Sequence, residues 1–199
     1  MNQTSFSRRI IQSASIFFGT FFLSLFIGQY FLSEGFLREY NTGGNITFSS
    51  NLFFSILQIF LFNLLSILAI IVANLFSKRK TAEQAYRGSG FLVLFVLGTI
   101  FGLTLGSNSF GVVRENAVLS QKLFDLFKLT QYSALWEFSA LILVNSVTID
   151  KGILLTTGKK THVRSFREIS YSSAELKMLS LAFLFLLVGA VVESRLLTK

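Results

Sequence analysis

Two glutamates and one asparagine stand inside or at the ends of long apolar runs, where polar side chains are costly. Glu137 lies in LWEFSALILV, Glu193 lies in VGAVVESRLL, and Asn108 follows LGTIFGLTLGS. A carboxyl group within a bilayer has to be paired or protonated, so such residues are candidates for ligand binding, ion coupling or proton transfer. Cleavage of peptide bonds is less well supported, because the chain has one His and no Cys to complete a nucleophilic site.

Long apolar runs are the elements that must position these residues. The chain has 199 residues, of which 52% are hydrophobic and 14% are charged. A run of about 18 or more apolar residues can cross the roughly 30 Å hydrocarbon core as a helix. We therefore predict an all-α fold, a single polytopic membrane bundle over residues 1–199 with about five transmembrane helices. Their predicted ranges are 10–32, 52–76, 90–106, 132–149 and 177–197.

The first run begins with SRRIIQSASIFF, which is similar to a twin-arginine export signal. We expect a retained helix instead, because the run is longer than a signal core and no Ala-x-Ala cleavage site follows it.

Basic residues predict the orientation, since Lys and Arg accumulate in the cytoplasmic segments of membrane proteins. With the N-terminus inside, twelve basic residues fall on the inner side and six on the outer side. The inner set is Arg8, Arg9, Lys78, Arg79, Lys80, Arg87, Lys151, Lys159, Lys160, Arg164, Arg167 and Lys177. The outer set is Arg38, Arg114, Lys122, Lys128, Arg195 and Lys199. The split favours a cytoplasmic N-terminus and an outer C-terminus.

Two connecting segments have features of their own. The outer sequence NAVLSQKLFDLFKL places its apolar residues on one face, which predicts an interfacial helix near 116–129. The inner segment 150–175 contains GKKTHVR. It could be a solvated charged loop, or it could dock on a partner protein or on anionic lipid.

Glycine recurs every fourth residue in the third run, at Gly98, Gly102 and Gly106. Small residues let helix backbones approach closely in lipid, so we interpret this glycine seam as a packing surface against another helix or a second copy of the chain. A pore or substrate track is the alternative. Asn108, just beyond the seam, could cap the helix in a left-handed conformation.

The predicted depths of the three polar residues in the membrane suggest that they lie close together. Glu137 follows the outer start of its helix by about 5 residues, or roughly 8 Å, and Glu193 precedes the end of its helix by about 4 residues, or roughly 6 Å. We therefore predict that Asn108, Glu137 and Glu193 converge in one outer-leaflet polar pocket, with Arg114 or Arg195 as counter-charges. The alternative is three unrelated features: a helix cap, a protonated packing glutamate and an interfacial glutamate.

The sequence lacks the residues that several other functions require. No GxxxxGK[ST] loop is present, so any dependence on ATP must come from a partner. The lone His162 has no carboxylate or thiolate partner nearby in sequence, so we expect neither a metal site nor a cofactor. The net charge of +8 largely reflects the inner basic residues, and we expect no nucleic-acid partner.

The motifs resemble those of the stage II sporulation protein M family from the second run onward. The matching features are Asn63, GTIFGLTLGSNSFG, WEFSA around Glu137, and VGAVVESRLLTK with Glu193, while LLTTGKKTHVRS resembles the inner loop of the family. This sequence has Ala134-Leu135 where the family usually has His-Gly, and Ser139 where the family has a proline. With these departures, the chain is more similar to the small family members that accompany circular bacteriocin genes in Gram-positive bacteria.

The resemblance implies a multi-pass protein of the bacterial plasma membrane with Asn63 in helix packing. It also implies a non-catalytic role in the export of, or self-immunity to, a membrane-active circular bacteriocin. The expected partners are the lipid bilayer, an ABC transporter, a hydrophobic peptide and a second copy of the chain. One alternative is a scaffold for peptidoglycan hydrolases in sporulation or envelope remodelling. Another is an intramembrane transporter or peptide-processing enzyme that uses Glu137 and Glu193.

Overall fold

Helices make up most of the chain in the computed structural model, which describes residues 6–38, 49–79, 86–109, 118–129 and 133–197. The helices are α1 (Phe6–Phe31), α2 (Leu52–Leu75), α3 (Gly90–Gly106), α4 (Leu119–Leu129), α5 (Ser133–Thr148) and α6 (Ser173–Leu197). Three of them, α1, α2 and α6, are long and apolar enough to cross a membrane. The apolar helices α3 and α5 are shorter, at 17 and 16 residues.

The helices lie at the predicted positions, but α1 and α6 begin before their apolar runs. In both cases a polar first turn is helical, and the two turns are joined by an ion pair between Arg9 Nη2 and Glu175 Oε1 at 2.9 Å. Ser172 caps α6 through its hydroxyl, which accepts a hydrogen bond from the backbone N–H of Glu175 at 3.2 Å. Hydropathy alone places these helix starts too late.

The glycine seam of α3 faces α1. A Cβ atom at Gly98, Gly102 or Gly106 would collide with α1 at the backbone oxygen of Phe17, Phe21 or Leu25, respectively. Both series rise by four residues per step, so the two helices run parallel and in continuous backbone contact. This contact needs residues without a side chain on the seam.

Aromatic and branched side chains fill the space between the helices. The ring centroids of Phe17 on α1 and Phe138 on α5 are 4.9 Å apart, and Phe101 on α3 lies 5.5 Å from Phe138. Further buried members of this core are Phe21, Leu25, Ile67, Ile70, Leu94, Leu105, Leu141, Val144 and Leu186. The core joins α1, α2, α3, α5 and α6 into one bundle.

A four-stranded sheet, which the sequence analysis did not predict, closes one end of the bundle. Its strands are β1 (Phe76–Arg79), β2 (Arg87–Gly88), β3 (Leu154–Thr157) and β4 (Lys160–Val163), in the order β2-β1-β3-β4. β1 pairs parallel with β3, and the other two pairings are antiparallel. We call this end of the molecule the sheet end. α2 and α5 finish there, whereas α3 and α6 begin there.

A buried hydrogen-bond network lies next to the sheet end. Asn74 Nδ2 donates to Asn145 Oδ1 at 3.1 Å and to Thr148 Oγ1 at 2.8 Å, and Asn74 Oδ1 accepts from the backbone N–H of Gly90 at 2.8 Å. Asn145 Nδ2 in turn donates to Ser13 Oγ at 3.0 Å. These bonds connect α1, α2, α3 and α5 and satisfy polar groups that are costly to bury without partners.

Candidate functional site

Glu137 of α5 meets an amide from α2 and a carboxyl group from α6. Asn63 Nδ2 donates a hydrogen bond to Glu137 Oε1 at 2.6 Å. The carboxyl groups of Glu137 and Glu193 lie close enough to hydrogen-bond to each other. A bond between two carboxyl groups requires a proton on one of them, because an ionised carboxylate can only accept. We call Asn63, Glu137 and Glu193 the carboxyl site.

The surrounding helices leave room for these side chains. Gly189 stands one turn before Glu193, and a Cβ atom at this position would lie 3.4 Å from Glu137 Cγ. A small cavity of about 20 Å³ adjoins the site, with space for about one water molecule. Its lining residues are Asn63, Ser66, Phe101, Glu137, Phe138, Leu141 and Leu186. The cavity therefore combines three polar side chains with an apolar wall.

The carboxyl site also borders the outer surface of the bundle. Glu137 and Glu193 are both partly exposed, and the neighbouring Leu135 and Trp136 of α5 are exposed by 39% and 37%. The carboxyl site therefore lies near the edge of the bundle rather than at its centre.

Asn108 belongs to a second polar cluster, beyond the C-terminal end of α3. Its φ angle is +51°, so it adopts the left-handed conformation expected for a cap. Asn108 Nδ2 donates to Glu34 Oε1 at 2.5 Å. Ser107 and Ser109 accept hydrogen bonds from the backbone N–H groups of residues 35 and 37, at 2.6 Å and 2.9 Å. These bonds tie the end of α3 to the segment that follows α1.

Lys122 attaches the amphipathic helix α4 to the same cluster. Its Nζ donates to the backbone oxygen of Gly106 at 2.7 Å, and the side chain is almost fully buried. Burial lowers the pKa of Lys122, and the nearby Glu34 carboxylate partly offsets this effect. Lys122 therefore adds a contact from α4 to the second cluster.

The structure separates the residues that the sequence analysis placed in one pocket. Glu137 and Glu193 come together, whereas Asn108 lies in the second cluster with Glu34. Arg195 is exposed in the last turn of α6, and Arg114 lies outside the described residues. Asn63, which was predicted to take part in helix packing, donates to Glu137 in the structure.

Glu34 and Lys122 were missed as site residues. Their only signal in the sequence is a charge close to a helix end, which is common on any protein surface.

The fold and this site define a helical protein with membrane-length helices and a carboxyl pair inside its bundle. Comparison with protein-family models, with curated proteins and with solved structures finds no match to this chain. Within the described residues, no group of three or more His, Cys, Asp or Glu could hold a metal ion. His162 lies on β4, at the sheet end.

Proposed function

We propose that the chain crosses the membrane five times, with its N-terminus and the small sheet in the cytoplasm and its C-terminus outside. The twelve-to-six distribution of basic residues supports this orientation. Successive apolar helices alternate in direction between the sheet end and the opposite end. α3 and α5 are shorter than the other apolar helices. They can cross only if the bilayer thins around them or if the residues that flank them also lie within the membrane.

Single-cysteine labelling tests the proposed topology without background, because the natural chain has no cysteine. Cysteines at Lys78 and Lys160 are expected to react only after the membrane is made permeable. A cysteine at Ser120, which is exposed beside the buried Lys122, is expected to react in intact cells. An epitope tag at the C-terminus should be accessible from outside, and a cytoplasmic tag would contradict five crossings.

We further propose that the protein is a non-catalytic membrane component of a system that exports, or protects its producer from, a membrane-active circular peptide. The carboxyl site supports this role. A carboxylate in surroundings of low dielectric attracts a cationic side chain much more strongly than it does in water. The exposed Leu135 and Trp136 offer apolar contact beside it. Such a site suits a hydrophobic, cationic peptide that arrives from the lipid phase. An ABC transporter is the proposed source of energy, because the chain has no nucleotide-binding loop.

The proposed function predicts that Glu137→Gln and Glu193→Gln each reduce peptide protection about tenfold or more. Gln keeps the shape of the side chain but removes its ability to carry negative charge. The chain would be expressed together with an ABC transporter in a sensitive Gram-positive host, and the inhibitory concentration of a circular cationic peptide would be measured. The double variant should be little worse than either single variant, because both residues act in one site.

Glu168→Gln is the matched control, because this exposed glutamate lies at the sheet end. Immunoblots of membrane fractions would verify that all variants accumulate equally. Full protection by Glu137→Gln at normal abundance would contradict a role for the carboxyl site in peptide handling.

The contact between the two carboxyl groups favours a second candidate, a proton-coupled transporter. A carboxyl pair that holds one proton can release it when a cation binds. Proteoliposomes that contain a pH-sensitive dye distinguish the two candidates. A proton flux that Glu137→Gln abolishes would support coupling, whereas peptide binding without flux would support the non-catalytic role.

A further inference from the structure

One face of the small sheet carries two rows of side chains. The row next to the helices is apolar, and the following row contains the basic residues. Strand pairing aligns Phe76 with Leu154, and Leu154 with Val163. Two residues further along β1, it aligns Lys78 with both Arg87 and Thr156. Side chains of alternate residues point to the same side of a sheet, so the two rows share one face. We call this the amphipathic sheet face. Its members are Phe76, Leu154, Val163, Lys78, Arg87, Thr156 and Thr161.

The position of this face relative to the helices matches the boundary of a bilayer. Phe76 directly follows Leu75, the last residue of the membrane-length helix α2. The apolar row therefore begins where that helix ends, and the basic row lies roughly 6 to 7 Å further along the strands. Apolar side chains at the acyl boundary, followed by cations at the phosphates, is the arrangement of proteins that rest on a membrane surface.

Solvent exposure and charge indicate that this face has a binding partner. Phe76 and Val163 are 49% and 74% exposed, which is high for apolar residues of a sheet. Lys78 and Arg87 stand directly opposite each other on neighbouring strands, and like charges in this position repel. An anion between them would remove the repulsion.

The remaining polar groups of the sheet also fit an anionic ligand. The four described strands contain no Asp or Glu that could neutralise Lys78 and Arg87. The hydroxyl groups of Thr156 and Thr161 hydrogen-bond to each other at 3.1 Å in the basic row, which leaves the accepting hydroxyl free to donate its proton to a phosphate oxygen. The row thus offers two cations and one hydroxyl donor to one anion.

We propose that the amphipathic sheet face binds the headgroups of anionic phospholipids in the leaflet at the sheet end. Phe76 and Val163 insert at the level of the first acyl carbons, and Lys78 and Arg87 contact the phosphates. This contact holds the sheet against the membrane surface. It requires that the helices span a bilayer, but it does not depend on a role in peptide export.

Lipid titration tests the proposal on the full-length protein in phosphatidylcholine nanodiscs with increasing phosphatidylglycerol. Native mass spectrometry would count the retained phosphatidylglycerol molecules. Each basic residue near an anionic surface contributes about 1 kcal/mol, so Lys78→Gln with Arg87→Gln should weaken retention about 25-fold. The matched control, Lys159→Gln with Lys160→Gln, removes the same charge from the turn and the opposite face and should weaken retention less than threefold. Equal effects of both pairs would overturn the proposal.

Fluorescence quenching provides a second test that does not depend on lipid counting. A fluorophore on Val163→Cys should be quenched by lipids with a nitroxide in the headgroup region, whereas one on His162→Cys, on the opposite face, should not. No quenching at position 163 would overturn lipid contact. Displacement of phosphatidylglycerol by millimolar inorganic phosphate would also overturn it, in favour of a soluble phosphate ligand.

Discussion

Gly102→Leu is expected to prevent α3 from packing against α1 and to destabilise the protein by about 3 kcal/mol or more. A Cβ atom at this position would collide with the backbone oxygen of Phe21 and crowd the Cβ atom of Ser24. The colliding groups belong mainly to the helix backbone, so a change of rotamer cannot relieve the clash. The helices would have to separate along the whole seam, which would also open the contacts of Gly98 and Gly106. Thermal unfolding in detergent should show a midpoint lower by roughly 10 °C.

Gly19→Leu is a well-matched control for this prediction. Gly19 lies in the middle of α1, and a Cβ atom there would have no neighbour within 4 Å. The substitution has the same volume, the same change in hydropathy and a similar depth, but it points away from the seam. Its unfolding midpoint should stay within about 2 °C of the natural protein. If Gly102→Leu were equally mild, α1 and α3 could not be in backbone contact.

The apolar helices could be predicted from the sequence because length and hydropathy act locally along each helix. The helix starts of α1 and α6 could not, since their polar first turns are stabilised by the contact between Arg9 and Glu175. From the sequence alone, Arg9 is predicted to act only as an orientation signal. Its burial depends on which helix ends meet in space, and hydropathy does not contain that information.

The candidate site was predicted in part for a related reason. Depth in the membrane follows from sequence position, and it places Asn108, Glu137 and Glu193 at similar heights. The partner of each residue depends also on which helices are neighbours. α5 and α6 pack antiparallel, so Glu137 meets Glu193. α3 packs parallel to α1, so Asn108 at its end meets Glu34, which follows α1.

The sheet escaped prediction because its strands are short and distant in sequence. Strands β1 and β2 have four and two residues, and neither shows an alternating pattern long enough to distinguish it from a charged loop. The parallel pairing of β1 with β3 depends on α2 and α5 ending side by side, where Asn74 bonds to Asn145. Tertiary contacts between helices therefore create the secondary structure at this end.

Arg9→Met is expected to destabilise the protein by about 3 kcal/mol, the lower end of the cost of breaking a buried ion pair. Arg9 is 6% exposed. Its Nη1 lies 2.8 Å from Asp150 Oδ1, and its Nη2 lies 2.9 Å from Glu175 Oε1. The guanidinium group therefore joins the start of α1 to the end of α5 and the start of α6. Without it, Lys151 would be the one cation within 4 Å of these two carboxylates among the described residues, at 3.6 Å from Asp150 and 3.1 Å from Glu175.

Arg8→Met separates this packing role from the role of basic residues in topology. Arg8 is exposed and precedes Arg9, so both substitutions remove one positive charge from the same flank of α1. If Arg9 acts only as an orientation signal, both variants should behave alike, with normal unfolding midpoints and a similar loss of membrane insertion. If Arg9 instead joins three helices, only Arg9→Met should lower the unfolding midpoint. Arg9→Lys should recover only part of the loss, because a single ammonium group cannot face two carboxylates with the fork of a guanidinium. Adding Asp150→Asn to Arg9→Met should restore part of the stability, since the double variant leaves Lys151 and Glu175 as one ion pair and no carboxylate of this cluster without a partner.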